Sequence, residues 1–173
     1  DYRIYIVDTE TGEHCVWFLG TTLDSWTLAV PRYVWSMPWH AGKIRFNCAL
    51  NETTGLYEKY RMKTSSAWAQ ASVELVQSES DTFDFPGFPD TESALVYLTH
   101  PLAGFYYRRD NKLGTYRVWH KELRVKPAKL RSANFKLLSD LGIVKVAEQQ
   151  SPYSVLIEPI NEFTISLPPT VIG

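Results

Sequence analysis

The chain has 173 residues, a mass of 19.9 kDa, a net charge of −1 and 45% hydrophobic side chains. That length and apolar share suit one domain with a true core and argue against intrinsic disorder. No apolar run approaches the roughly 18 residues of a membrane span, and no signal-peptide pattern opens the chain.

Short strands dominate the pattern. Tyr2–Val7, a Thr11-Gly12 turn and His14–Thr21 read as a hairpin whose second strand is apolar on both faces, as a central strand would be. Asp24 or Ser25 is placed to cap a short helix through Trp35, stopped by Pro38. Lys43–Leu50 alternates, with Ile44, Phe46, Cys48 and Leu50 on one side and Lys43, Arg45 and Asn47 on the other. A turn over Asn51–Gly55 leads into Leu56–Thr64, and Ala67–Val76 continues the meander. Ser78–Asp90, acidic and carrying Pro86-Gly87-Phe88-Pro89, predicts a long exposed loop. Thr91–His100 suits a helix begun by Asp90 and halted by Pro101. Phe105–Arg109 and Thr115–Glu122 flank a turn rich in Asp110, Asn111 and Gly114. Ser132–Leu141 has helical spacing closed by Gly142, and Ser154–Glu158 with Glu162–Leu167 predict a last strand pair. The expected fold is mainly β with minor α: a single domain over residues 1–173, its antiparallel sheet closed or nearly closed, with a few short helices.

Cys15 and Cys48 both fall in apolar strand patterns, where a free thiol behaves as a small hydrophobe. They are too few for a disulfide framework or a zinc site, and point to a reducing cytoplasm. No phosphate-binding glycine loop, nucleophile elbow or metal-ligand spacing occurs, so no cofactor and no metal is expected. Charge is uneven: residues 1–100 carry 7 basic and 13 acidic side chains, and 101–173 carry 11 and 6. With a near-neutral total, the basic stretch from Arg108 to Arg131 reads as a solvated sheet face rather than a nucleic-acid surface. No nucleic-acid or membrane partner is expected; a homo-oligomer stays open.

Two strands place polar residues on apolar faces. Glu58 shares a side with Leu56, Tyr60 and Met62, and His120 shares one with Tyr116 and Val118. Such groups are costly to bury unless paired or lining a wet cavity. They are either pocket groups or a satisfied core hydrogen-bond pair, or else Glu58 lies near an open edge. The densest chemistry lies in Pro31–Lys43, which packs Arg32, Trp35, Trp39 and His40 around Pro38. Arg32 suits a ligand carboxylate, since a guanidinium grips it with two parallel hydrogen bonds. His40 suits an acid, base or donor role. Trp35 and Trp39 fit either core rings or ligand platforms.

This segment resembles the Schiff-base segment of acetoacetate decarboxylases, but Trp39 and His40 occupy the two positions after Pro38 where those enzymes carry lysines. Further matches run along the chain: Val16-Trp17-Phe18-Leu19 with Asp24-Ser25, Met37-Pro38-Trp39-His40, Leu98-Thr99-His100, Phe105-Tyr106-Tyr107, Tyr116-Arg117-Val118-Trp119-His120 and Ser151-Pro152-Tyr153-Ser154. On these the chain is similar to the YqjF-like family of bacterial proteins, which share the acetoacetate decarboxylase-like fold. The resemblance implies a β-barrel enclosing a cavity, a further segment upstream of Asp1, and no established activity. Lys43, three residues beyond His40 on the polar side, is a poor substitute nucleophile, because Schiff-base chemistry needs an amine of lowered pKa. The expectation is therefore a cytoplasmic barrel that binds a small anionic or aromatic molecule, with Arg32, Trp35, Trp39, His40, Glu58 and His120 at the site. Two alternatives remain: an acid–base enzyme acting on a keto or enol substrate, and an interaction module using a basic face.

Overall fold

The computed structural model describes residues 1–150, 152–157 and 162–172. Strand accounts for 47% and helix for 17%, so the chain is mainly β. In chain order the first elements are β1 (Tyr2–Val7), β2 (His14–Leu23), β3 (Trp39–Ala41), β4 (Lys43–Asn51), β5 (Leu56–Ser65) and β6 (Ala71–Gln77). Then come α1 (Thr91–Thr99), β7 (Ala103–Tyr107), β8 (Leu113–His120), β9 (Val125–Phe135) and α2 (Lys136–Asp140). Three short strands close the order: β10 (Val155–Ile157), β11 (Phe163–Ile165) and β12 (Thr170–Ile172).

These elements sort into two compact units between which the chain passes repeatedly. The first comprises Asp1–Ala41, Gly87–Leu123 and Ile160–Gly173, and the second Gly42–Pro86 and Arg124–Pro159. The first unit holds a sheet of order β1-β2-β7-β8-β11, with β3 beside β2 and β12 beside β8. Its β2 pairs in parallel with both β7 and β3. The second unit holds an antiparallel sheet of order β10-β9-β6-β5-β4. Both orders run from one end strand to another, so barrel closure is not among the pairings of the described residues.

The core of the first unit follows from period two. Val16 and Phe18 of β2, Tyr106 of β7 and Tyr116 of β8 turn inward with Met37, and Tyr5, Trp35, Trp39, Val118 and Ile165 pack against them. Phe18 stacks on Tyr116 with ring centres 5.3 Å apart, and the backbone of Gly104 lies against the Phe18 ring. Helix α1 begins where Asp90 Oδ1 accepts the Ser93 N–H at 2.7 Å, as the aspartate cap predicts. Its Tyr97 ring stacks on His14 at 4.0 Å. The Leu98 carbonyl accepts from Tyr5 Oη at 2.6 Å and from Arg3 Nη2 at 2.8 Å. In the second unit Ala71, Leu75, Ala133, Leu137 and Leu156 are buried. Gln149, also buried, accepts the Phe135 N–H at 2.6 Å and donates to Ser139 Oγ at 2.8 Å, so its amide is satisfied.

Three expectations are corrected here. Ser132–Phe135 is strand, and helix α2 starts only at Lys136; ladder bonds from β6 to these residues override their helical spacing. The last strands join different partners: among the described residues β10 adds to β9 and β11 to β8, and no pairing links the two. Of those segments Glu158 lies outside the described residues, as does Ser151 of the Ser-Pro-Tyr-Ser match. Glu58 is exposed rather than turned inward. Opposite it, Ala49 pairs with Lys59 and Leu50 with Tyr57, which leaves Glu58 as the extra residue of a β-bulge. The bulge breaks the alternation, so Tyr57 and Tyr60, three apart, meet edge to face at 5.6 Å. Asn51 Nδ2 donates to Glu58 Oε1 at 2.7 Å.

Candidate functional site, an arginine-histidine corner

The corner is built by one irregular loop of the first unit. Ser25 Oγ accepts the Thr27 N–H and starts a 3-10 turn over Trp26–Leu28. A π-type turn over Val30–Val34 follows, closed by Trp35 N–H to the Val30 carbonyl at 3.4 Å, with Pro31 at its second position, still in the opening turn where no N–H is needed. Wide turns of this kind recur at functional sites. Ser36 then takes the left-handed conformation at φ 54°, uncommon for a residue with a side chain. The reversal is held by Met37 N–H to the Pro31 carbonyl (2.9 Å) and Arg109 N–H to the Ser36 carbonyl (2.8 Å). Strand β3 delivers His40 opposite Thr22 of β2.

Three cations gather on this loop. Arg108 donates to the Trp35 carbonyl at 3.0 Å and grips Asp110 with two bonds of 2.9 and 2.7 Å. Those bonds hold the Asp110 carboxyl down at about 2. Arg32 Nη1 donates to the Trp39 carbonyl and lies 3.4 Å from His40 Nδ1. Arg109 Nη1 reaches the Arg32 carbonyl at 3.5 Å. Both Arg32 and Arg109 place their guanidinium against the Tyr33 ring, at 5.7 and 5.4 Å from its centre. Arg108 has its carboxylate; among the described residues neither Arg32 nor Arg109 forms an ion pair.

His40 registers that field. Burial first, then the charges of Arg32 and Arg109, push its pKa down from 6.5 to about 4. It is an uncharged imidazole at neutral pH. Between pH 6.5 and 4 the unfolded chain binds more protons at this position than the folded one. Stability is therefore whole above 6.5, falls as the pH drops through that window, and levels off below it. The loss traceable to His40 is about 1 kcal/mol, once solvent screening of a half-exposed ring is allowed for. Thermal melts across pH 7 to 4 should show this limb, and His40→Gln should flatten it. The loss of the Arg108–Asp110 pair belongs to a separate, more acid range, between 3.8 and about 2.

The sequence-expected site residues separate here. Arg32 and His40 meet in the corner. Trp35 and Trp39 supply it with carbonyls while their rings pack on the core, so they act as its frame. His120 is buried, with Nδ1 2.8 Å from the Lys121 carbonyl and its ring against His100 (4.6 Å) and Phe163 (4.9 Å). Those contacts make it a core histidine, while its neighbour His100 lines, with Glu92 and Glu122, a cleft of about 160 Å³ beside α1. Glu58 belongs to the second unit, and Lys43 is exposed there. Arg109 and Tyr33 were missed. The adjacent pair Arg108-Arg109 ahead of a turn was a usable signal, since Asp110 is gripped by Arg108. Among the described residues no group of three or more acidic, histidine or cysteine side chains could hold a metal ion, and no helix is long and apolar enough to cross a membrane.

The profile of the DUF2071 family, described as an uncharacterized conserved protein, matches residues 1–160. The chain belongs to DUF2071. Neither a curated protein nor a solved structure matches it significantly. The DUF2071 match takes in every residue of the arginine–histidine corner, so the corner lies inside the family's own domain rather than in an appendage.

Proposed function

We propose that this DUF2071 member is YqjF-like, has an acetoacetate decarboxylase-like barrel as its fold, and binds a small anionic or aromatic molecule at the arginine–histidine corner. The observation that carries the reading is the pair of guanidiniums, Arg32 and Arg109, that converge on Tyr33 and His40 with no ion-paired carboxylate among the described residues. A ligand carboxylate would supply the missing charge, and the Tyr33 ring, 69% exposed, offers an apolar face beside it. Binding chemistry fits better than an acid–base reaction, because an imidazole held near 4 is a weak proton acceptor at neutral pH. The unpaired Cys15 and Cys48 suit a cytoplasmic setting.

Calorimetric titration with acetate, benzoate and indole-3-acetate tests the reading. At least one carboxylate should bind. Arg32→Ala and Arg109→Ala should each weaken it about tenfold or more, the worth of a hydrogen bond to a charged group. Borohydride treatment with keto acids should trap no adduct. Affinity untouched by either arginine substitution would move the site elsewhere, and a trapped imine would restore the decarboxylase reading.

A further inference from the structure

Cross-strand register gathers positive charge on one face of the second unit's sheet. Arg45 of β4 stands opposite Lys63 of β5, Lys63 opposite Ser72 of β6, and Ser72 opposite Asn134 of β9. The next row sets Asn47 opposite Arg61, Arg61 opposite Glu74, and Glu74 opposite Ser132. Residues directly opposite share a face, as do residues two apart on one strand. Lys43 and Lys59 therefore join this face, and Lys129, opposite Val76, joins it beyond a register shift in β9. Lys43, Arg45, Arg61, Lys63 and Lys129 are exposed, and Lys59 is half-buried. Arg61 Nε donates to Glu74 at 2.7 Å, while the bulged Glu58 beside Lys59 is held by Asn51. Among the described residues the other five cations form no ion pair.

We propose that this sheet face binds the phosphate backbone of a nucleic-acid duplex without regard to sequence. An arginine directly opposite a lysine is destabilising by itself, and the diagonal neighbours of that pair, Lys43 and Arg61, are cations too. A partner with closely spaced negative charge turns that repulsion into attraction. The six cations span about 20 Å along the strands and about 15 Å across them. A duplex carries one negative charge for every ~1.7 Å of its axis, so a patch of that length meets about a dozen phosphates. The exposed Asn47, Ser72, Ser132 and Asn134 stand among the cations, and such side chains donate to phosphate oxygens. These rows hold no aromatic ring on which the bases of a single strand could stack, and none to enter a lipid interface. Along the chain the same cations are interspersed with acids and apolar residues, which hides the face until the strands pair.

Fluorescence anisotropy of labelled duplexes titrated with the full chain tests this. A DNA duplex of arbitrary sequence should bind with micromolar affinity at about 50 mM salt and about a hundredfold more weakly at about 200 mM, the response of about four phosphate contacts. An RNA duplex of equal length should bind within about threefold of it, since phosphates alone are read. Arg45→Gln and Lys63→Gln should each weaken binding about tenfold at the lower salt and reduce the salt slope by about one. Their melting temperatures should hold or rise, because each relieves the like-charge pair. Lys112→Gln, in the first unit, should change neither affinity nor slope. Duplex affinity that salt or both glutamine variants leave unchanged would overturn the proposal. So would binding to vesicles of equal parts phosphatidylserine and phosphatidylcholine but not to the duplex, or tighter binding to a single strand.

Discussion

Gly104→Ala is expected to lower the stability of the protein by about 3 kcal/mol, near the top of the range for overfilling a packed interior. An alanine methyl at this position would lie inside the edge of the Phe18 ring, 2.9 Å from Cδ2 and closer still to Cε2. Phe18 has nowhere to retreat, because its other neighbour is the Tyr116 ring stacked at 5.3 Å. Gly104 is also paired on both sides, with Val16 in parallel and Tyr116 in antiparallel register, so the backbone is held as firmly as the ring. For a chain of this size the melting temperature should fall by about 6–12 °C. A melt shifted by less than about 2 °C would mean that the strand contact between β2 and β7 is looser than its register implies.

Met37→Ala should cost a similar amount, about 3 kcal/mol, for a different reason. The side chain is fully buried among Val16, Phe18, Tyr106 and Tyr116, and its removal leaves a cavity that ring neighbours cannot collapse to fill. The same residue ties the corner together: its N–H bonds to the Pro31 carbonyl, and its own carbonyl accepts the Trp39 N–H at 2.8 Å. Loosening it should therefore weaken carboxylate binding together with stability. Met37→Leu, which conserves volume, should cost less than about 1.5 kcal/mol and spare the corner. Chemical denaturation of the two variants beside calorimetric titration separates these effects. Equal binding by the alanine and leucine variants would show that the corner does not depend on its buried anchor.

Much of the first unit was legible from local pattern. The β1–β2 hairpin, the Asp90 cap of α1 and the β7–β8 hairpin each carry their own turn or capping residues, and those signals act within a few positions. The Arg32–His40 contact of the candidate corner was readable for the same reason, being packed into nine residues around Pro38. Glu58 was misread because period two holds only while the ladder is regular, and the bulge that releases it lies in how β5 pairs with β4. His120 was rightly placed on an inward face, yet its neighbours His100 and Phe163 come from separate stretches of chain. Arg109 was hidden because it is far from Arg32 in sequence and is brought to it by long-range bonds to the Ser36 and Arg32 carbonyls.

The amino-acid order alone settled the mainly β character, most strand positions and the polar corner at Pro38, since propensities, turn residues and alternation are short-range properties of the chain. Which strands became neighbours depended on the assembled backbone: β2 beside β7 in parallel, β9 drawn between β6 and β10, β11 sent to β8. Those choices come from hydrogen-bond ladders and ring packing between residues tens of positions apart. The same long-range closure gathers Arg109 and Tyr33 onto Arg32 and His40.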